Sequence, residues 1–263
     1  MSEPSGIVAG THEIVMVEGP GAAAFLQGLL SQDVESLDAV KARRSFLLGP
    51  QGKLRALLWV SRDGDRHDLY TDAGYGQVVA ADLAHYKIRV KAEISGPEPA
   101  WQVIGEVGGV DASTAGLVRS FVSEFPPGSE VLARDRWNVL RIEAGEPVMG
   151  VDVDERTIPQ ETGLVADSVS FTKGCYLGQE LVARIDTRGR VNRHLRGLRL
   201  PQATQPGAEV TFGAEEVGSV SSVGWSDRLD TYVGLALLKR TVQPGDTAEL
   251  TDGSALVVEL PFA

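Results

Sequence analysis

Short apolar blocks alternate with polar and turn-forming residues along the first half of the chain, and they predict strands and helices that follow one another. Apolar residues recur at helical spacing over residues 22–30 and again over residues 77–86, which predicts two helices. The turn formers Gly49 and Pro50 separate two apolar runs and predict a hairpin. Residues 108–130, rich in Gly, Ser and Pro, are expected to be mostly loop. The runs that predict strands lie at residues 13–17, 44–48, 54–60, 68–70, 88–94, 101–107 and 137–142.

The pattern changes after Gly197, where short apolar runs are separated by Gly, Pro, Asp and Ser. Such punctuation is typical of a small barrel or sandwich. We therefore expect an α+β fold in two parts: residues 1–195, which comprise two interleaved subdomains, and residues 196–263, a small C-terminal β-barrel. The runs that predict barrel strands lie at residues 198–200, 209–212, 217–223, 232–238, 248–250 and 255–260.

Composition narrows the functional classes. With 263 residues, 43% of them hydrophobic, the chain is expected to be globular, and its net charge of -11 argues against nucleic acid as a direct partner. The single cysteine, Cys175, excludes an internal disulfide and a cysteine-only metal site, and the four scattered histidines do not support a zinc site. The N-terminus lacks the features of a targeting signal, and no apolar run is long enough to span a bilayer. We expect a cytoplasmic protein with no membrane partner.

The most informative segment runs from residue 171 to residue 184 and reads Phe-Thr-Lys-Gly-Cys-Tyr-Leu-Gly-Gln-Glu-Leu-Val-Ala-Arg. Gly174 and Gly178 bracket the thiol of Cys175 and permit close approach of a ligand. The pattern after Gly178 is helical, so Cys175 lies just ahead of a helix N-terminus and two residues after Lys173. Both features favour the thiolate. The alternative is that Cys175 is a small buried hydrophobic residue.

Glu143 ends the strand predicted at residues 137–142 and precedes Ala144 and Gly145. A carboxylate in that place can accept two parallel hydrogen bonds from an amino-amide edge, such as the N2/N3 edge of a pterin. The alternative is a surface glutamate on an edge strand.

A run of basic side chains between residues 184 and 199 stands out in an acidic protein. It could bind an anionic ligand, such as a polyglutamate tail or a phosphate. The alternative is a solvated face whose arginines pair with nearby acids. The basic residues are Arg184, Arg188, Arg190, Arg193, His194, Arg196 and Arg199, opposed by Asp186.

The string Lys173-Gly174-Cys175-Tyr176, continued by Gly178-Gln179-Glu180 and Arg184, resembles the signature of the YgfZ family. These proteins are folate-binding relatives of the glycine-cleavage T-protein, an aminomethyltransferase, and are associated with iron–sulfur protein maturation and tRNA thiolation. Residues 19–34, 141–145 and 159–164 resemble further parts of the same superfamily. The resemblance implies a T-protein-like, multi-domain N-terminal region around a folate cavity.

The resemblance also implies a function and a set of site residues. We expect a tetrahydrofolate-binding accessory protein for iron–sulfur cluster assembly or repair in client enzymes, including tRNA-modifying ones. Its cofactor would be tetrahydrofolate or a one-carbon derivative, and its partners iron–sulfur client or assembly proteins. Glu143 would hold the pterin, and Cys175 would be the catalytic group or a transient iron–sulfur ligand. The residues expected to border the folate cavity are Lys173, Gly174, Tyr176, Gly178, Gln179, Glu180 and Arg184.

One departure from the T-protein pattern changes the expected chemistry. True aminomethyltransferases carry two aspartates where this chain has Ala56 and Leu57. A positioned acid typically contributes 10²–10⁴-fold to such a reaction, so glycine cleavage is not expected. Two alternatives stay open: a one-carbon transferase that uses a substitute acid, such as Glu180 or Glu143, and an interaction module with a vestigial pocket.

Overall fold

The computed structural model describes residues 6–104, 109–114, 116–122, 124, 130–251 and 253–263. Its first part contains two helices and a set of strands. They are, in chain order, β1 (Gly6–Glu18), α1 (Ala22–Gln27), β2 (Arg43–Leu48), β3 (Leu54–Asp63), β4 (Arg66–Asp72), α2 (Gly76–Tyr86), β5 (Glu93–Ile104), β6 (Val110–Asp111) and β7 (Arg119–Val122). Within the described residues the strands form one antiparallel sheet in the order β2-β3-β4-β1-β5-β7-β6.

Strand β3 is buried on both faces, which explains why its sequence is a continuous apolar run rather than an alternating one. Ala56 and Leu58 point to one face and pack in a core with residues of α1 and α2. Leu57 and Trp59 point to the opposite face and belong to two other clusters. The predicted hairpin of β2 and β3 is confirmed, with Phe46 opposite Leu57.

The strand predicted at residues 88–94 is wrong, because β5 begins only at Glu93. Ile88 is 77% exposed, and Arg89 has a positive φ of 57°, so the alternation there does not mark a half-buried strand. Lys91 instead lies against the turn after β1, where its carbonyl accepts a hydrogen bond from the N–H of Gly21 at 3.0 Å. Of the predicted strand 101–107, residues 101–104 belong to β5 and residues 105–107 lie outside the described residues.

The segment predicted to be mostly loop, residues 108–130, contributes β6 and β7 to the sheet; residues 108, 115, 123 and 125–129 lie outside the described residues. The connection to the second part is mainly helical. It contains α3 (Arg134–Glu143), a 3₁₀ helix (Pro159–Thr162), α4 (Val165–Ser168) and α5 (Gln179–Arg188).

The strand predicted at residues 137–142 is therefore wrong, since these residues form most of α3. The buried positions Trp137, Arg141 and Ile142 recur at helical rather than strand spacing. A six-residue apolar run cannot by itself distinguish a strand from a buried helix.

The last part of the chain is the predicted barrel. Its strands are β8 (Arg193–Leu200), β9 (Glu209–Phe212), β10 (Glu215–Ser226), β11 (Thr231–Lys239), β12 (Thr247–Leu250) and β13 (Gly253–Val258). In the described residues they close in the order β10-β11-β8-β13-β12-β9. The α+β fold with a small C-terminal β-barrel is confirmed, and the division at residues 195 and 196 stays a prediction, with the barrel strands starting at Arg193.

Helix α3 connects the barrel to the sheet. A Cβ added to Gly224 of β10 would lie 2.6 Å from Cγ2 of Val139, so only glycine lets the helix approach this strand so closely. At the end of α3 the carbonyl of Glu143 accepts a hydrogen bond from the N–H of Phe262 at 2.8 Å. None of the helices in the described part of the chain combines the length and the apolarity needed to cross a bilayer.

Candidate functional site

A cavity of about 800 Å³ lies between the sheet, helix α3 and barrel strand β10. We call it the sheet–barrel cavity. Its walls combine aromatic, aliphatic and charged side chains. The lining includes His12, Arg44, Leu57, Trp59, Tyr70, Asp72, Arg119, Trp137, Arg141, Glu146 and Met149.

Its floor is one face of three neighbouring strands. Trp59 of β3 lies opposite Tyr70 of β4, and Asp72 of β4 lies opposite His12 of β1. Alternate residues of a strand share a face, so Tyr70 and Asp72 stand side by side. Continuing the register one step from Leu58 and Thr71 places Leu57 opposite Asp72.

One wall consists of two arginines that share a glutamate. Glu146 forms ion pairs with Arg44, whose Nη2 lies 2.8 Å away, and with Arg119, whose Nη2 lies 2.6 Å away, and it accepts a hydrogen bond from the hydroxyl of Thr114 at 3.0 Å. Both guanidinium groups also lie over the ring of Trp59, at 4.5 and 4.6 Å from its centroid. Burial opposes ionisation of Glu146, but Arg119 and Arg44 hold its pKa below the ordinary value.

A second ion pair connects α3 to the barrel. Nη1 of Arg141 donates to Oδ2 of Asp152 at 2.7 Å, and Nη2 donates to the hydroxyl of Ser222 at 2.6 Å. The hydroxyls of Ser221 and Ser222 both donate to Oδ1 of Asp152, at 2.5 and 2.6 Å. This network holds β10 in place beside α3 at the edge of the cavity.

Asp72 is bonded differently from Glu146. Its Oδ2 accepts the backbone N–H of Met149 at 2.9 Å, and Nε2 of His12 lies 4.0 Å from Oδ1, beyond hydrogen-bond range. Burial raises the pKa of Asp72 to about 6, against the opposing effects of the Met149 N–H and Arg141. Burial, with a smaller effect of Arg119, lowers the pKa of His12 to about 3, so this imidazole is neutral at physiological pH. Two carboxyls of one cavity thus have pKa values displaced in opposite directions, as in many sites that bind or move protons.

Glu143 does not line this cavity. It ends α3 rather than a strand, and its carboxylate accepts the hydroxyl of Ser226 at 2.5 Å and Nε of Arg228 at 2.8 Å. The carboxylate therefore binds the barrel, and this geometry does not support the predicted contact with a pterin.

The predicted border formed by residues 173–184 also lies elsewhere, since none of its seven residues lines the sheet–barrel cavity. Lys173 reaches the C-terminal end of α1, where its ammonium donates to the carbonyls of Gln27, Leu30 and Gln32 at 2.7, 2.6 and 2.9 Å. Helix ends leave such carbonyls without partners in the helix. Burial lowers the pKa of Lys173 to about 8, so the ammonium remains the main form at neutral pH.

The following residues fasten the same loop. Tyr176 is buried in a cluster with Leu57 and Met149, which themselves line the cavity. Gly178 has a φ of 77°, and a Cβ there would lie 2.6 Å from the carbonyl oxygen of Gly49. Oε1 of Gln179 accepts the N–H of Tyr176 at 3.1 Å. These residues support the cavity wall from behind.

Cys175 is exposed, which contradicts the alternative of a small buried residue. Gly174, Glu180 and Arg184 are exposed as well. The thiol and these three residues thus lie on a surface, and Glu180 is not placed to act as an acid in the cavity.

Two arginines of the basic run form ion pairs. Arg193 binds Glu161, with Nε 2.8 Å from Oε1, and Arg196 binds Glu259 at 3.1 Å. This favours the solvated, paired face over a dedicated anion site.

Sequence reasoning missed the charged residues that build the cavity: Asp72, Arg44, Arg119, Arg141 and Glu146. One signal was available, because Arg44 and Arg141 belong to runs that predict strands. A charge in a buried element needs a partner, and such positions point to a buried network. Nothing local identifies the partners, which come from other elements.

Comparisons with known proteins agree with this architecture. The family described as the glycine cleavage T-protein C-terminal barrel domain matches residues 193–262. The crystal structure of the glycine cleavage system aminomethyltransferase T from Bartonella henselae is similar in fold, with a TM-score of 0.84 over 98% of this chain and 86% of that chain, at 20% identity. A tRNA-modifying protein YgfZ of Serratia proteamaculans is 28% identical over 235 residues, which cover 73% of this chain and 71% of that protein. The resemblance to the YgfZ family is confirmed.

A second similarity covers less of its partner. A putative chloroplastic transferase of Arabidopsis thaliana is 30% identical over 152 residues, which are 57% of this chain and 35% of that protein.

In the present chain, Leu57 lines the cavity, whereas Ala56 packs in the core beneath α1 and α2. Of the two positions expected to hold aspartates in true aminomethyltransferases, one therefore faces the cavity, and it is apolar.

The pKa of Asp72 predicts a pH-dependent stability difference. Its folded value of about 6 lies above the ordinary 3.8, so the ionised carboxylate destabilises the fold above about pH 6 and ceases to do so as the pH falls towards 4. Asp72→Asn is expected to raise the free energy of unfolding, relative to wild type, more at about pH 7.5 than at about pH 4.5, by at most about 3 kcal/mol. Urea unfolding at the two pH values measures this, with Asp63→Asn at an exposed position of β3 as the control. A difference independent of pH would contradict it.

The contacts of Lys173 predict a structural role. Lys173→Met is expected to lower the free energy of unfolding by about 2–3 kcal/mol, because three carbonyls lose their partner. Lys53→Met, at an exposed position, is the matched control and should change stability by no more than about 0.5 kcal/mol. Denaturant titration of both variants is the measurement, and equal stabilities would refute the role.

Proposed function

We propose that this protein binds tetrahydrofolate or a one-carbon derivative in the sheet–barrel cavity and supports iron–sulfur cluster assembly or repair in client enzymes, including tRNA-modifying ones. The observation that carries the proposal is the cavity itself. It lies between the sheet and the barrel of a T-protein-like fold, and it combines flat aromatic walls with a carboxyl, Asp72, that is bonded to a backbone N–H rather than to an arginine.

The lining suits a reduced folate. A volume of about 800 Å³ falls within the range of sites that take small molecules, about 300–1,000 Å³. In tetrahydrofolate the pyrimidine ring and the benzoyl ring are flat, and Trp59, Tyr70 and Trp137 contribute aromatic surface to the cavity lining. The pteridine also carries several polar edge atoms, and buried polar groups line the same space.

The charges suit the anionic end of such a ligand. Arg44 and Arg119 share a single carboxylate, Glu146, so this wall carries one more cationic group than acidic groups in a protein that is acidic overall. Arg134, exposed at the start of α3, also lines the cavity and is available to a glutamate tail. The arginine run of residues 184–199 is a weaker candidate because Arg193 and Arg196 already pair with acids.

Cys175 fits a role towards a partner protein rather than towards the folate. Its thiol is exposed and lines no part of the sheet–barrel cavity. One thiolate cannot hold a cluster alone, since clusters usually take four protein ligands, so the thiol would act transiently while a client docks. The net charge of -11 favours an effect on tRNA through a client enzyme over direct tRNA binding.

A one-carbon transferase is the second candidate, and Asp72 is the observation that favours it. Glu143 binds the barrel and Glu180 is exposed, so neither supplies an acid to the cavity. Asp72 does lie in the cavity, one strand away from Leu57. Turnover of 5,10-methylene-tetrahydrofolate in the presence of an amine or thiol acceptor would favour this candidate over the accessory role.

The folate proposal predicts ligand-induced stabilisation. Tetrahydrofolate at about 100 times its dissociation constant should stabilise the wild-type protein by roughly 2.7 kcal/mol, measured by thermal unfolding and calorimetric titration under anaerobic conditions. Val131→Trp adds bulk at a half-exposed position of the cavity lining and should weaken binding at least about tenfold, or ~1.4 kcal/mol. Val40→Trp is the matched control, since Val40 is 71% exposed and does not line the cavity. The absence of any shift for the wild type would remove folate from the function.

The accessory role predicts a phenotype for the thiol. In cells that lack the native protein, Cys175→Ala should fail to restore the activity of iron–sulfur enzymes and the level of thiolated tRNA nucleosides, while its abundance stays normal because Cys175 is exposed. Thr172→Ala, at an exposed neighbouring position, should restore both. Full restoration by Cys175→Ala would exclude the thiol from the mechanism.

A further inference from the structure

Of the two acids in the interior of the sheet–barrel cavity, Asp72 and Glu146, Asp72 has the larger unused capacity to accept hydrogen bonds. An ionised carboxylate has about four lone-pair sites. At Asp72 one of them takes the N–H of Met149, whereas Glu146 is ion-paired with Arg44 and Arg119 and accepts the hydroxyl of Thr114.

The Asp72 side chain lines the cavity between two neighbours across the sheet. Across the sheet it has Leu57 on one side, which offers no donor, and His12 on the other, whose Nε2 lies 4.0 Å from Oδ1. The Asp72 side chain is 13% exposed and lines the cavity. The hydrogen bond from the N–H of Met149 to Oδ2 restricts rotation of the Asp72 carboxylate about its Cβ–Cγ bond.

The aromatic side chains next to Asp72 are held in fixed positions. Tyr70 stands beside Asp72 on β4 and stacks on Phe121, with 4.2 Å between ring centroids and 5° between ring planes. Trp59 lies opposite Tyr70 and is fixed by two guanidinium groups. The aromatic surface is therefore rigid and adjacent to a carboxylate, and a carboxylate binds two parallel N–H donors best.

We propose that Asp72 recognises the ligand of this cavity by accepting two hydrogen bonds from a 2-amino-4-oxopyrimidine edge, the edge that pterins share with guanine. This inference rests on the proposed function for the choice of a pterin. It assigns to Asp72 the contact that the sequence led us to expect of Glu143.

The test compares ligands and variants by calorimetric titration of the full chain. The probes are tetrahydrofolate, its 2-desamino-2-methyl analogue and guanosine. Asp72→Asn removes the charge and puts an amide donor against the donors of the ligand, so it should weaken tetrahydrofolate binding at least about tenfold. Asp63→Asn, exposed on β3, is the control and should leave the affinity unchanged.

The analogue separates recognition from a structural effect. The wild type should bind tetrahydrofolate at least about tenfold more tightly than the desamino analogue, and Asp72→Asn should bind the two alike. A distorted cavity would instead weaken both ligands equally. Because the ligand comparison on the wild type needs no variant, it decides the question even if Asp72→Asn does not fold.

The outcomes separate this inference from the proposed function. Tight binding of tetrahydrofolate with no preference over the analogue, or with no loss in Asp72→Asn, overturns the role of Asp72 and leaves folate binding intact. Binding of guanosine but not tetrahydrofolate, with loss in Asp72→Asn, supports the role of Asp72 and overturns the folate function. Binding of none of the three probes overturns both.

Discussion

The rest of the structure depends on the ion pairs of two arginines that are buried against the indole of Trp59. Arg44 comes from β2, Arg119 from β7, and the glutamate that pairs with both, Glu146, from the segment after α3. A buried charge without a partner is destabilising by several kcal/mol, and removal of one partner of a buried pair leaves that penalty in place. The network therefore holds the distant strands and the segment after α3 in one arrangement.

The ion pair of Arg141 with Asp152 connects the barrel in the same way. Arg141 of α3 binds Asp152 and Ser222, so the helix and β10 keep a fixed distance. The space left between sheet, helix and barrel is the cavity, and its polar walls are the groups that hold it open. Stability and the binding site thus use the same residues. Asp72 stands apart from both networks, which is why its carboxyl carries the proposed recognition.

In the segment that most resembles the family signature, residues 173–184, some residues have structural contacts and the thiol is available for chemistry. Lys173, Tyr176 and Gly178 fix the loop against α1, the cavity wall and the β2–β3 turn. Cys175 is held on the surface by this rigid frame, at a place that a partner protein can reach. A loop fastened on both sides of a thiol presents it in one position, which suits a transient contact better than a mobile loop does.

The sequence by itself determined the elements whose signals are local. The hairpin of β2 and β3 follows from two apolar runs around a Gly-Pro turn, α2 from its helical period, and the barrel strands from their regular punctuation. Local signals failed at α3, where six residues are too few to show a period, and before β5, where an alternating stretch crosses a glycine turn instead of joining the sheet.

Tertiary structure alone decided the site. His12, Asp72, Arg119 and Glu146 are far apart in the sequence and meet because strand register and helix packing bring them to one cavity. The same packing turned Glu143 towards the barrel and the cysteine loop towards the surface. A motif records which residues occur together along the chain, whereas a cavity depends on which side chains share a face. Which side chains share a face is determined by strand pairing and by the partners of buried charges, and both are non-local.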